Sequence, residues 1–271
     1  MNGDAMVKIP ELTYFDEIML KGFFGHHYVY DHSYPNNATP VILMMLGFLA
    51  AAVIAYLIGS VNVGIILSKK LYKQDIRTLG TKDASAGNMA RVFGGKAGIL
   101  TAFGEFLLTI LAVAAGRLIL GVQGMFVAAL FAVIGQIFPI FHGFRGGKGV
   151  VTMGAVMLFT TPGIFLAELA IFAVIAFGTK FISLAAIMTA LMYPLLLNTI
   201  RGPGLHNLIA LLIAALIWLR HKDSIKRLWN KQEEKFDFGT VFKSNRRRRK
   251  EAEAEELAAL NKGSKKNGEE K

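Results

Sequence analysis

The stretch FHGFRGGKGVV, residues 141–151, places four glycines, Arg145 and Lys148 between two long apolar segments. Glycine lets backbone amides approach an anion closely, and a neighbouring Lys or Arg supplies positive charge. A helix that begins at Gly149 or Val150 would also point the positive end of its dipole at this turn. The spacing differs from the GxxxxGK[ST] of a P-loop. Two interpretations stay open here: an anion-binding turn, and a plain interhelical turn with basic residues.

Other polar residues are predicted to lie on the same membrane face as this turn. They are Ser60, Arg77, Asn88, Arg91, Lys180, Ser183 and His221. A phosphate or acyl-phosphate site needs such donors and cations. Glu105 lies inside an apolar segment, and it is predicted either to line the polar cavity or to make a structural hydrogen bond. The chain has no cysteine and its six histidines lack the HExxH spacing, so neither a metal nor a cofactor is predicted.

The elements that must position these residues are apolar segments of membrane-spanning length. The chain of 271 residues is 54% hydrophobic yet carries a formal net charge of +11, which is typical of a membrane protein with basic loops. Because Pro162 removes a backbone donor, the long apolar run 150–177 is predicted to form two helices. The seven predicted spans are Val41–Gly59, Ala97–Leu120, Met125–Phe141, 150–161, 162–177, Phe181–Asn198 and Leu205–Leu219.

Basic residues follow the first, third, fifth and seventh of these segments, whereas the opposite connections hold only Arg201. The positive-inside rule therefore places the N-terminus outside and the C-terminus in the cytoplasm. The sequence predicts an all-α integral membrane protein with about seven transmembrane helices, and a polar site that opens to the cytoplasm. Since the basic residues lie beside spans and not on a separate folded domain, a nucleic-acid partner is not predicted.

Three regions are predicted along the chain. Residues 1–39 form an N-terminal extension, either an interfacial amphipathic helix or a disordered segment. Residues 40–235 form the polytopic membrane domain. Residues 236–271 form a charged tail that is predicted to be disordered, and its basic run Arg246–Lys250 is predicted to touch anionic lipid headgroups or to be simply solvated.

Taken together, the polar segments resemble a known family. YLIGSVNVG, DIRTLGT, GNMARVFGGKAG, GQIFPIFHGFRGGKGVVT, TKFISL and RHKDSIKRLWNKQE occur in the order and spacing of the bacterial acyl-phosphate–glycerol-3-phosphate acyltransferases (PlsY type). The resemblance runs from about Val41 to Glu233. It implies an integral protein of the bacterial plasma (inner) membrane with its active site facing the cytoplasm.

The resemblance also implies a reaction and its residues. An acyl group passes from acyl phosphate to the 1-hydroxyl of glycerol-3-phosphate, giving lysophosphatidic acid and phosphate for phospholipid biosynthesis, without a metal, coenzyme A or acyl carrier protein. The implied catalytic residues are Ser60, Arg77, Ser183, His221 and Glu233. The implied substrate- and phosphate-binding residues are Asn88, Arg91, Arg145, Gly146, Gly147, Lys148 and Gly149.

The sequence departs from the family pattern at several positions. GTKDASAGN, residues 80–88, stands where the family reads GSGNxGATN, so that Lys82 replaces Gly and Asp83 replaces Asn. Leu108 stands where the family carries a lysine. A second hypothesis is therefore a catalytically degenerate paralogue that acts as a membrane scaffold or partner-binding protein. A third is a transporter of a phosphorylated metabolite.

Overall fold

The computed structural model of the protein describes residues 38–241, and every regular element in that range is helical. In chain order the helices are α1 (Ala38–Gly59), α2 (Val63–Leu71), α3 (Ala86–Phe93), α4 (Gly95–Ile137), α5 (Val150–Thr160), α6 (Pro162–Thr179), α7 (Ile182–Arg201), α8 (Leu205–Arg220), α9 (Lys222–Trp229) and α10 (Phe238–Val241). The predicted all-α class is confirmed for this range. The predicted N-terminal interfacial helix and the basic run Arg246–Lys250 lie outside the described residues.

Helix α4 folds back on itself near its middle. Leu120 and Gly121 leave the helical backbone conformation, and Gly121 has φ 58° and ψ −142°. A Cβ built on Gly116 would lie 2.3 Å from the Cβ of Ala128. Residues twelve apart in a straight helix are separated by about 18 Å, so the chain must reverse between them. The two arms correspond to the second and third predicted spans.

Small residues bring α1 against the second arm of α4. A Cβ on Gly59 would lie 2.4 Å from the carbonyl oxygen of Ala132, and one on Gly135 would lie 2.4 Å from that of Tyr56. Close backbone approach of this kind is a common way for helices to pack in a membrane. A second core, built from α4, α5, α6, α7 and α8, includes the fully buried side chains of Tyr193 and Ile213.

The predicted break at Pro162 is confirmed. Helix α5 ends at Thr160, Thr161 is non-helical with φ −151°, and Pro162 opens α6 at its first turn, where a missing backbone donor costs nothing. Among the described residues, four stretches are long and apolar enough to cross a membrane: Ile42–Leu71, Gly95–His142, Pro162–Thr179 and Ile182–Arg201.

Helices α5 and α8 are apolar but shorter than these four stretches. With 11 residues, α5 extends about 16 Å, roughly half of the ~30 Å hydrocarbon core of a bilayer. A crossing at this position therefore needs more of the chain than α5 alone. Seven crossings and the orientation of the termini stay predictions.

The basic connections between these helices contact one another. The Ala84 amide donates to the Gly146 carbonyl at 3.2 Å, and Arg220 Nε donates to the Gly147 carbonyl at 3.1 Å. The Phe236 amide donates to the Lys180 carbonyl at 2.7 Å. The loops after α2, α4, α6 and α8 therefore meet at one end of the helices, where the candidate site is built.

Candidate active site

A cavity of about 220 Å³, called here the first cavity, lies among these loops. Its polar lining consists of Thr81, Ser85, Asn88, Arg91, Glu105, Lys148, Ser183 and His221. The lining also includes the first residues of three helices: Ala86 of α3, Val150 of α5 and Ile182 of α7. The first amides of a helix have no partner within that helix, and the dipole makes this end positive. The first cavity is therefore suited to an anion.

Lys148 supplies a cation to the first cavity and is paired with Asp83. Lys148 Nζ lies 3.2 Å from Asp83 Oδ2, and only 13% of the lysine side chain and 4% of the aspartate side chain are exposed. Burial alone would raise the pKa of Asp83. The Lys148 charge and hydrogen bonds from Ser85 and Thr81 outweigh that effect and hold the pKa below its usual value. Asp83 is therefore an anion at neutral pH. It forms an ion pair with Lys148, the lysine that an anionic ligand would also contact.

His221 lies at the end of α8 and is 1% exposed. Its Nδ1 lies 2.8 Å from the carbonyl oxygen of Ile217, which can only accept, so Nδ1 carries the proton. Burial, followed by the nearby Lys148 charge, lowers the pKa of His221 to about 4. The ring is therefore neutral at pH 7, and Nε2 is left as a hydrogen-bond acceptor at a side chain that lines the first cavity.

A chain of hydrogen bonds runs from Ser183 to Lys148. The Ser183 hydroxyl donates to Glu233 Oε1 at 2.6 Å, and Arg227 Nε donates to Glu233 Oε2 at 2.6 Å. A second Arg227 nitrogen donates to the Ser224 hydroxyl at 2.9 Å, and Lys148 Nζ lies 3.5 Å from the same oxygen. Glu233 does not line the first cavity, but it accepts from Ser183, which does, and from Arg227, which contacts Ser224 beside Lys148.

The glycine-rich turn is shaped mainly by the end of α4. The Gly146 amide donates to the Ile137 carbonyl at 3.1 Å, and the Gly147 amide donates to the Gln136 carbonyl at 3.0 Å. A Cβ on Gly146 would lie 2.1 Å from the Gln136 oxygen, so no other residue fits there. These two amides therefore donate to carbonyls of the protein itself and not to a ligand. Gly149, in the left-handed region with φ 76°, instead starts α5 at the first cavity.

A second cavity of about 400 Å³ is lined by the first part of this turn. It is lined by Asp75, Arg77, Thr78, Lys82, Arg145, Gly146 and Arg220. Two Arg77 nitrogens donate to the two Asp75 carboxylate oxygens at 2.9 and 2.7 Å, and these bonds hold the pKa of Asp75 well below its usual range. Arg77 also donates to the His142 and Arg145 carbonyls at 2.6 and 3.2 Å, which joins the loop after α2 to the loop after α4.

Asn88 and Ser60 are tied to backbone. The Asn88 side-chain oxygen accepts from the Thr81 amide at 2.9 Å, and its nitrogen donates to the Leu79 and Asp83 carbonyls at 3.0 and 2.7 Å. Ser60 is fully buried, and its hydroxyl accepts from the Ile140 amide at 3.4 Å. Asn88 therefore fixes the loop that carries Asp83, whereas Ser60 lines neither cavity.

One wall of the first cavity is apolar. It consists of Val151, Phe172, Ile182, Ala186 and Phe236. Arg91 lies at this wall, with its guanidinium carbon 5.7 Å from the centre of the Phe236 ring. The lining thus combines cationic and hydrophobic side chains, which fits an amphipathic anion better than a small inorganic one.

The structure sorts the predicted site residues into three groups. Asn88, Arg91, Lys148, Gly149, Ser183 and His221 line the first cavity. Arg77, Arg145 and Gly146 line the second. Ser60, Gly147 and Glu233 line neither. Glu105, for which two interpretations were open, lines the first cavity with one carboxylate oxygen that has no hydrogen-bond partner among the described residues.

Asp83, Arg227 and Phe236 contribute to the site but were not among the predicted residues. Asp83 stood out in the sequence only as a departure from a pattern, and nothing local indicates that it pairs with a lysine 65 positions later. Lys82, the one basic replacement in that loop, lines the second cavity and not the first. Among residues 38–241, no group of three or more His, Asp or Glu side chains is arranged to hold a metal ion.

Comparison with known proteins gives one consistent result. A family model described as glycerol-3-phosphate acyltransferase matches residues 49–231. The glycerol-3-phosphate acyltransferase of Finegoldia magna is 36% identical over 186 residues, which is 68% of this chain and 93% of that protein. The Bacillus subtilis protein of the same name is 37% identical over 183 residues, covering 68% and 94% respectively.

The fold is similar to that of solved structures as well. A crystal structure of PlsY (YgiH), an integral membrane glycerol 3-phosphate acyltransferase, in its glycerol 3-phosphate form, is 31% identical with a TM-score of 0.67. The similarity covers 70% of this chain and 96% of that one. The lysophosphatidic acid form of PlsY is 30% identical with a TM-score of 0.65.

Proposed function

The chain belongs to the glycerol-3-phosphate acyltransferase family, and we propose that it transfers a fatty acyl group from acyl phosphate to glycerol-3-phosphate. The 1-hydroxyl oxygen of glycerol-3-phosphate attacks the acyl carbonyl and forms the ester bond. The bond from the acyl carbon to the phosphate oxygen breaks, and the hydroxyl proton leaves with phosphate. The products are lysophosphatidic acid and phosphate.

The observation that carries this proposal is the mixed lining of the first cavity. Three helix N-termini and Lys148 supply positive potential, and Phe172, Ile182 and Phe236 supply apolar surface. An acyl phosphate has a doubly charged head and a hydrocarbon chain, so one such ligand matches both kinds of lining. Because acyl phosphate is already activated, the protein mainly has to position two anions and neutralise their charge.

Lys148 and His221 carry the direct roles in this proposal. Lys148 neutralises the phosphate that leaves, together with the amides at the start of α5. His221 is neutral at pH 7 with its proton on Nδ1, so its Nε2 accepts a hydrogen bond from the attacking hydroxyl and orients it. The proton passes to the departing phosphate, either directly or through this nitrogen.

Four other predicted residues act as positioning residues in this proposal. Arg77 joins two loops, and Asn88 fixes the loop that carries Asp83. Glu233 orients Ser183 and Arg227 by accepting a hydrogen bond from each of them. The Ser60 hydroxyl accepts from the Ile140 amide just after the end of α4. Arg145, Gly146 and Gly147 shape the turn that delivers Lys148 and Gly149. Each of these contacts is indirect, so we expect substitutions to affect stability as well as rate.

The proposed location is the bacterial plasma membrane, with the site facing the cytoplasm. The basic loops that build both cavities meet at one end of the helices. Under the positive-inside rule, that end faces the cytoplasm, where both phosphorylated substrates are water-accessible.

The test is a transfer assay with purified full-length protein in detergent or nanodiscs. Wild type should form lysophosphatidic acid from acyl phosphate only when glycerol-3-phosphate is present. Lys148→Ala should lower kcat/KM by roughly 100- to 1000-fold, the usual cost of removing a preorganised charge-stabilising group. Lys70→Ala, an exposed lysine of α2, is the matched control and should retain activity.

Because Lys148→Ala also leaves Asp83 buried without its partner, the double variant Asp83→Asn/Lys148→Ala separates loss of charge from loss of folding. It should fold and still be inactive. A folded wild-type protein that forms no lysophosphatidic acid would refute the proposal and favour the non-catalytic scaffold. Uptake of a phosphorylated metabolite into proteoliposomes, without transfer, would favour the transporter.

A further inference from the structure

The chain continues past the family match, which ends at residue 231, and returns to the first cavity. Residues 233–238 are called here the C-terminal strap. Glu233, its first residue, accepts hydrogen bonds from Ser183 and Arg227. The Phe236 amide donates to the Lys180 carbonyl at 2.7 Å, which fastens the strap to the connection between α6 and α7. The predicted tail begins at residue 236, yet this part of it is packed against the membrane domain.

Phe236 is the best-buried aromatic side chain of the strap, with 5% exposure. It packs against Ala90 of α3 and Ile182 of α7, and edge-on against Phe238 at a ring distance of 4.9 Å. Phe238 in turn contacts Phe177 of α6 at 4.7 Å. The ring is thus fixed from several sides, and its remaining surface forms part of the wall of the first cavity.

Arg91 is held at the same place by the strap. One Arg91 nitrogen donates to the Glu234 carbonyl at 3.3 Å, and its guanidinium lies over the Phe236 ring. The cavity of about 220 Å³ is smaller than the roughly 300–1,000 Å³ of pockets that enclose a whole drug-sized ligand. It therefore accommodates the head of an acyl phosphate and the first carbons of its chain, while the rest of the chain lies along apolar helix surface outside.

We infer that Phe236 is a specificity-determining residue that contacts the acyl chain next to the reacting carbonyl and excludes branched chains. This inference rests on the proposed function. Phe236 belongs to the apolar wall that faces the cavity containing Lys148 and His221, so the part of the chain that it meets is the part nearest the carbonyl. Because Ile182 and Phe238 fix the ring, we expect that it cannot move aside for a methyl substituent on the carbon next to it.

The experiment compares a straight-chain acyl phosphate with the 2-methyl-branched acyl phosphate of the same length, each with glycerol-3-phosphate. In the full-length Phe236→Ala variant, the ratio of kcat/KM for branched over straight substrate should rise at least about 10-fold, because one methylene-sized change in an apolar pocket alters selectivity by roughly 10- to 200-fold. Phe236→Leu should give a smaller rise. Phe177→Ala is the matched control: it removes an aromatic contact of the strap outside the cavity and should leave the ratio unchanged.

The two Phe236 variants keep the inference testable even if alanine lowers stability, since leucine preserves most of the apolar burial. An unchanged ratio in a folded Phe236→Leu variant and in any folded Phe236→Ala variant, with an active wild type, would overturn this inference alone. An equal rise in Phe177→Ala would also overturn it, because the effect would then come from a loosened strap. A wild type without transfer activity would overturn the proposed function and this inference together.

Discussion

Replacing Asp83 with asparagine should tighten anion binding while destabilising the ligand-free protein. In wild type, Lys148 Nζ lies 3.2 Å from Asp83 Oδ2. A phosphate oxygen in contact with the same nitrogen would lie about 2.8 Å from it, and so within about 6 Å of the carboxylate. In the Asp83→Asn variant, the amide side chain would keep an oxygen for the Ser85 amide, which donates at 3.0 Å in wild type, but it would carry no charge.

The magnitude follows from Coulomb's law. Two unit negative charges about 6 Å apart repel by roughly 3 kcal/mol at an effective dielectric constant of about 20. Removing this repulsion should lower the Kd for acyl phosphate about 100-fold, since each ~1.4 kcal/mol is a factor of ten. Without ligand, Asp83→Asn should cost about 3 kcal/mol of stability, because a mostly buried lysine then has no carboxylate partner.

The assay is thermal unfolding in detergent over a series of acyl-phosphate concentrations, without glycerol-3-phosphate so that no transfer occurs, and Kd follows by linkage. Asp75→Asn is the matched control, because Asp75 pairs with Arg77 at the second cavity and not with Lys148. Equal Kd values in wild type and Asp83→Asn would refute the reasoning, since Asp83 would then not compete with the ligand for Lys148. A gain of the same size in Asp75→Asn would refute the assignment of the effect to the first cavity.

Two further outcomes test the network around the cavity. Burial lowers the pKa of His221 to about 4, whereas the unfolded chain takes up a proton near pH 6.5, so wild type should lose stability as pH falls from 6.5 to 4, by at most about 3 kcal/mol. His221→Gln should lack this slope in Tm measured from about pH 8 to 4, and an unchanged slope would contradict the assignment. Glu233→Gln should lose about 2 kcal/mol by weakening bonds from Arg227 and Ser183, whereas the exposed neighbour Glu234→Gln should match wild type in thermal unfolding. Equal Tm values for both glutamate variants would show that the network contributes no stability.

Local signals were sufficient to predict much of the helical frame. Pro162 ends a helix through its own backbone chemistry, and the predicted break lies one residue from the observed one. Gly121 allows the reversal within α4 because its positive φ is accessible to glycine. Such features depend on a few neighbouring residues, so they can be identified without knowing the tertiary fold.

The division of the site into two cavities could not be predicted from such local signals. Hydropathy and charge place Arg77 and Lys148 on one membrane face, but that face carries two cavities, each lined by part of the glycine-rich turn. Phe236 was predicted to lie in a disordered tail, yet its aromatic ring packs against α3 and α7. Which cavity a residue reaches depends on contacts between distant parts of the chain, such as the contact between Asp83 and Lys148.

The departures from the family pattern are best understood through charge. At positions 82 and 83 the family pattern has Gly and Asn, and this chain has a lysine that lines the second cavity and an aspartate that binds Lys148 at the first. Lys82 has φ 57°, a left-handed conformation that costs a non-glycine residue roughly 1 kcal/mol. These two replacements place a positive charge at the second cavity and a negative charge beside Lys148 at the first. We therefore expect a substrate phosphate at the first cavity to compete with Asp83 for Lys148, so this ion pair weakens its binding.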